Sequence, residues 1–172
     1  MSDSIPKYVA GIDYLELHCF PGTTLGRLVA VFERNSALKH AVTDAEFVIV
    51  HVGTNDISRL SPDSFPAAVN SLFTAIRQIN PAIKLLYSAI LPRPVDWSST
   101  QSLVKRANNL IMRFCKARKI PFLSTFRPFV GANGVIHRHM FAVRDGGLHL
   151  NLEGSRVLTN FYLQVVKRLR KA

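Results

Sequence analysis

Residues 46–52 read EFVIVHV, an almost unbroken run of apolar and β-branched side chains. A strand without a polar face must be covered on both sides, which is the condition of a parallel sheet held between layers of helix. Runs 83–90 (IKLLYSAI) and 120–124 (IPFLS) have the same character. Run 14–20 (YLELHCF) instead alternates Leu15, Leu17 and Cys19 with Glu16 and His18, as a half-buried strand does. Pro21-Gly22 then forces a sharp turn.

Helical patterns lie between these strands. Ser61-Pro62-Asp63 is a start signal, and Phe65, Val69, Leu72, Phe73, Ile76 and Ile79 follow at helical spacing. A second helix is predicted over 101–119, with Leu103, Ala107, Leu110, Ile111 and Phe114 on one face. A third runs over 152–169, capped by Asn151 and aligning Leu158, Phe161, Tyr162, Val165 and Leu169. Alternation of this kind predicts an α/β fold, a mostly parallel sheet with helices on both faces, as a single domain over 1–172. Ligands of such sheets bind at the carboxyl ends of the strands, so the polar residues following each strand are the candidates for chemistry.

Composition narrows the classes. With 48% hydrophobic residues the chain can build a core, which excludes a disordered tail, a collagen-like fibre and a disulfide-stapled miniprotein. Lys and Arg total 22 against 11 acids, a net charge of +11 that favours anionic partners. Cys19 and Cys115 fit no metal or redox spacing and read as free thiols. With no signal peptide and no membrane-length apolar run, they suggest a cytoplasmic location. No glycine-rich phosphate loop follows any strand, which argues against a nucleotide-binding protein. His137 and His139 lack a third ligand at suitable spacing, so neither a metal nor another cofactor is expected. His51, inside the most apolar strand, reads as a hydrogen-bonded core residue.

Four segments remain. Gly53-Thr54-Asn55-Asp56 follows the EFVIVHV strand, and its residue types also suit an ordinary turn. Arg144-Asp145-Gly146-Gly147-Leu148-His149 precedes the last helix, as a base with its orienting acid or as a surface loop beside a cap. Ser2-Asp3-Ser4-Ile5 opens the chain, where a serine is ordinarily part of a frayed end. Pro21-Gly22-Thr23-Thr24 closes the 14–20 strand.

Taken in order, these segments resemble the four blocks of the SGNH, or GDSL, hydrolases: Gly-Asp-Ser, an isolated Gly, Gly-x-Asn-Asp and Asp-x-x-His. Here they are Asp3-Ser4, Gly22, Gly53-x-Asn55-Asp56 and Asp145…His149. The strings VIVHVGTNDI and RDGGLHLNLEGSRVL are most similar to the esterase-type domains in the first open-reading-frame protein of vertebrate LINE retrotransposons. The resemblance implies a three-layer α/β/α, flavodoxin-like fold and a serine esterase acting on short, acetyl-type esters. It implies that Ser4 is the nucleophile, His149 the base and Asp145 its partner, with the Ser4 N–H, the Gly22 N–H and the Asn55 amide as the oxyanion hole. Asp56 then holds the loop through backbone N–H groups.

The chain departs from the family pattern in three places. Ser2 stands where the family has Gly. Two glycines put Asp145 four residues before His149 rather than three, leaving either a triad with Asp145 or a dyad helped by a backbone carbonyl. Only three residues precede Ser4, so the first strand looks truncated, and the exposed edges would invite another chain.

Lys105, Arg106, Arg113, Lys116, Arg118 and Lys119 on the 101–119 helix, with Lys167, Arg168, Arg170 and Lys171 at the end, form a solvated face or an electrostatic patch. The expected partners are therefore a small ester or lipid substrate, RNA, DNA or anionic phospholipid on the basic surface, and a second copy of the chain. A catalytically weak binding module is the alternative to the esterase.

Overall fold

The computed structural model describes residues 1–3, 12–13 and 15–171. Three parallel strands, β1 (Phe47–Val50), β2 (Lys84–Ser88) and β3 (Phe122–Leu123), lie in that spatial order. Phe47 is opposite Lys84 and Tyr87 opposite Phe122. Around them pack α1 (Leu25–Arg34), α2 (Ser36–Thr43), α3 (Phe65–Ile79), α4 (Trp97–Ala117) and α5 (Leu152–Leu169).

The period of two along a strand divides the core. Val48, Val50, Leu85 and Tyr87 join the buried residues of α1 to α4, among them Leu28, Phe32, Leu72 and Ile111. Ile49 and Leu86 point the other way and pack with Leu158, Tyr162 and Val166 of α5. This is the three-layer α/β/α arrangement expected from the doubly apolar strand.

Residues 1–3, the described part of the N-terminal segment, add a stub to the sheet. Ser2 makes parallel bridges to both Cys19 and His51, so residues 1–3 lie between the 15–20 segment and β1. The Met1 ammonium donates to the Ile49 carbonyl (3.0 Å), and the Asp3 N–H donates to that of His51 (3.1 Å). On the other side the Ser2 N–H donates to His18 O (3.0 Å), and the Phe20 N–H to Ser2 O (2.9 Å). Numbered along the chain, the resulting order is 2-1-3-4-5, the flavodoxin-like one.

Several expectations need correction. Among the described residues the 15–20 segment bridges only at Cys19, and Tyr14 lies outside them. Ser61-Pro62-Asp63 opens a 3-10 turn (Pro62–Ser64) rather than α3 itself, and the Ser61 hydroxyl bonds Ser64 Oγ instead of a helix N–H. α4 starts at Trp97, one turn earlier than predicted. α1 and α2 escaped the sequence reading. Asn35 ends α1 with its N–H on Val31 O and begins α2 by accepting the Leu38 N–H (2.9 Å). α5 has its predicted bounds, with the Asn151 side chain accepting from Gly154 N.

Candidate active site

The turns at the carboxyl ends of the strands converge. After β1 comes Thr54-Asn55-Asp56, a 3-10 turn entered through Gly53. The Asn55 side chain donates from Nδ2 to Thr23 O (2.9 Å), tying this turn to the Gly22 loop. Gly22 has φ +71°, a left-handed backbone that favours glycine, and a Cβ there would meet nothing within 4 Å, so the backbone is bare toward open space. A shallow depression of about 810 Å³ adjoins it, lined in part by Phe20, Thr23, Arg27 and Val31.

Asp56 holds the turn as expected: its Oδ2 accepts the Leu25 N–H (3.0 Å) at the start of α1. The carboxyl is 3% exposed, and burial pushes its pKa up from 3.8 to about 6, against the backbone hydrogen bond and Arg59.

On the loop before α5, Asp145 Oδ2 and His149 Nδ1 are 2.6 Å apart. Asp145 Oδ1 accepts from the N–H groups of Gly147 (3.1 Å), Leu148 (3.0 Å) and His149 (3.4 Å). Partial burial raises this carboxyl, but the His149 contact and the three N–H donors outweigh it, leaving its pKa below the usual value. The extra glycine is thus absorbed locally: Gly146 (φ +70°) and Gly147 (φ +92°) fold the chain back so that the acid reaches the imidazole across four residues. A Cβ on Gly147 would lie 2.6 Å from Pro94 Cβ, so only glycine fits.

Ser4 lies outside the described residues. The structure thus brings Gly22 and Asn55 together on one loop pair, and Asp145 and His149 together on another. Sequence reasoning missed Arg93, which donates from Nη1 to Thr54 O and forks onto Asp96. An arginine between prolines after a strand (Leu91-Pro92-Arg93-Pro94) was the available signal.

A second serine–histidine pair lies inside the molecule. His51 Nδ1 is 2.8 Å from Ser88 Oγ and 2.6 Å from Tyr162 OH, and Ser88 Oγ also bonds Thr125 Oγ1 (2.9 Å). In residue type and distance the cluster fits a catalytic pair, but Ser88, His51 and Tyr162 are 0, 3 and 4% exposed. Burial, and secondarily the Met1 ammonium, push the His51 pKa down to about 3. A neutral imidazole sealed from substrate serves here as the polar tie between sheet and α5, the core role expected of it.

The GDSL-like lipase/acylhydrolase family model matches residues 8–157. The chain belongs to this family. No curated protein matches it. Among solved structures it is similar to a Bacteroides fragilis protein assigned as an acylhydrolase (TM-score 0.77, 19% identity, 98% of this chain and 85% of that one). It is also similar to a carbohydrate esterase of family 3 from Talaromyces cellulolyticus (TM-score 0.66, 19% identity, 89% and 70%). An acetyl esterase solved with an acetate ion gives 0.66, 18%, 90% and 71%. At these identities the likeness is one of fold, and it is the SGNH/GDSL fold.

Proposed function

We propose that the chain is a serine esterase hydrolysing short, acetyl-type carboxylic esters, with Ser4 as nucleophile, His149 as base and Asp145 as its orienting acid. The observation that carries this reading is the 2.6 Å contact between Asp145 Oδ2 and His149 Nδ1 at the carboxyl end of the sheet. A carboxylate on Nδ1 holds the proton there and leaves Nε2 as the basic nitrogen. His149 takes the Ser4 hydroxyl proton as Oγ bonds the ester carbonyl carbon. It returns that proton to the departing alcohol, and the same steps with water release the acid and free Ser4. The oxyanion draws on the Ser4 N–H, the Gly22 N–H and the Asn55 amide, a neutral donor that an Asp could not supply. The acetyl esterase solved with an acetate ion, among the similar structures, is consistent with a small acyl group. Hydrolysis of p-nitrophenyl acetate in preference to the octanoate, lost in both Ser4→Ala and His149→Ala, is the expected result; undiminished turnover in Ser4→Ala would refute the reading.

A second function is favoured by the +11 charge, a docking of the basic helices on nucleic acid or anionic phospholipid. On α4, Arg106 is paired with Asp63 (2.7 Å), and at the α4 C-cap Arg118 lies over the Phe114 ring (4.2 Å). The placement of the chain within a LINE-type retrotransposon protein rests on the two strings quoted above and on this charge.

A further inference from the structure

Three strand-end segments meet behind Asn55, and one side chain connects them. Arg93 is 12% exposed. Its Nε and Nη2 donate to Asp96 Oδ1 (3.0 Å) and Oδ2 (2.6 Å), a two-pronged pair that fixes the plane of the guanidinium. Asp96 is anchored in turn by Thr100 Oγ1 (3.0 Å) at the start of α4. Partial burial raises the Asp96 carboxyl, and the Arg93 hydrogen bonds and charge more than reverse this, so it stays ionised below the usual range. With that fork occupied, Nη1 reaches the Thr54 carbonyl, the peptide oxygen leading directly into Asn55.

We propose that Arg93 is a positioning residue for the oxyanion hole, setting where the Asn55 amide points by holding the peptide before it. The proposal rests on the esterase reading given above. Side-chain hydrogen bonds also tie the turn toward the Gly22 side, Asn55 Nδ2 to Thr23 O and Leu25 N–H to Asp56 Oδ2. Arg93 pulls from the opposite side, from a segment on which the base loop also rests: a Cβ on Gly146 would lie 3.0 Å from Val95 Cγ2, and one on Gly147 2.6 Å from Pro94 Cβ. The Arg93 to Asp96 segment therefore fixes the oxyanion turn relative to the loop that carries His149. Lysine cannot do this, because one ammonium cannot fork onto a carboxylate and hold a carbonyl beyond it in a fixed plane.

The test is a double-mutant cycle on p-nitrophenyl acetate with Arg93→Ala, Arg93→Lys, Asn55→Ala and Arg93→Ala/Asn55→Ala. Arg93→Ala is expected to lower kcat about 10- to 50-fold, less than the ~10²–10³ of losing an oxyanion donor outright, with KM within about threefold. Arg93→Lys should recover little, and added guanidinium should rescue Arg93→Ala in part. In the Asn55→Ala background, removing Arg93 should cost threefold or less. Equal losses in both backgrounds, or an unchanged kcat in Arg93→Ala, would overturn the proposal. Should the wild-type chain hydrolyse no ester, the esterase reading falls separately. The Asn55 side-chain amide signals in a ¹⁵N spectrum then decide for Arg93: a shift or broadening in Arg93→Ala supports the positioning role, and unchanged signals refute it.

Discussion

Asp145 carries more of this account than any other described side chain, because each of its oxygens does a different job. One faces the imidazole and the other gathers three backbone N–H groups. Asp145→Asn keeps an acceptor for the loop and loses the charge facing Nδ1. We expect kcat to fall about 10²–10⁴-fold with little change in melting temperature, the pattern of a wrong imidazole tautomer rather than a broken loop. Gly147→Ala should lower stability as well as activity, since it drives a Cβ into Pro94 and strains a left-handed backbone. Thermal unfolding should show it destabilised by about 2–4 kcal/mol, with activity lost through the same distortion. At Asp56 burial prevails over the hydrogen bond instead. Its pKa is raised from 3.8 to about 6, so the stability it contributes is full below about pH 4 and lost as pH rises through 6. The melting temperature of Asp56→Asn relative to wild type should therefore be more favourable at pH 7 than at pH 4.5.

At the scale of elements, the N-terminal stub is the feature with the clearest consequence. Its bonds to Ile49, His18 and His51 make it part of the sheet, yet it buries an ammonium whose pKa is pushed from 8 down to about 6. Stability from that group is full above pH 8 and lost as pH falls toward 6. Adding Ser-Val ahead of Met1 turns the ammonium into a neutral amide that can still donate to Ile49 O. Differential scanning calorimetry should show a rise of about 2–8 °C at pH 6.5 and a weaker dependence between pH 6 and 8; an unchanged or lower melting temperature would count against this view of the stub. Long periodic elements such as α3, α4 and α5 were legible in the sequence because each carries a full apolar face. The pair α1 and α2 was not: ten and eight residues long, they share one asparagine as end and start, so no glycine or proline marks the break. The stub was illegible for a different reason: its described residues, 1–3, are too few to show a periodicity, and only their partners on both sides mark them as part of the sheet. At the site, the Asp145 to His149 pairing could be suspected from residue types, but its four-residue reach depends on two left-handed glycines. Arg93 becomes visible only through Thr54, a contact distant in sequence.

For the molecule as a whole, two demands are superposed on one parallel sheet. The carboxyl ends of its strands hold the candidate site, while the excess of 11 positive charges spreads over a surface that the esterase reading does not use. No helix among the described residues is long and apolar enough to cross a membrane. If the charge serves an anionic partner, affinity for single-stranded RNA or for phosphatidylserine vesicles should fall steeply between 50 and 200 mM salt, as phosphate-driven binding does. Absence of binding to either at low salt would leave that charge without the role suggested for it. The nucleophilic role of Ser4 is read out by mass spectrometry of the chain after treatment with a fluorophosphonate. A single adduct on Ser4 is expected, one that disappears in His149→Ala and is strongly slowed in Asp145→Asn. No adduct, or one elsewhere that survives the loss of His149, would contradict it.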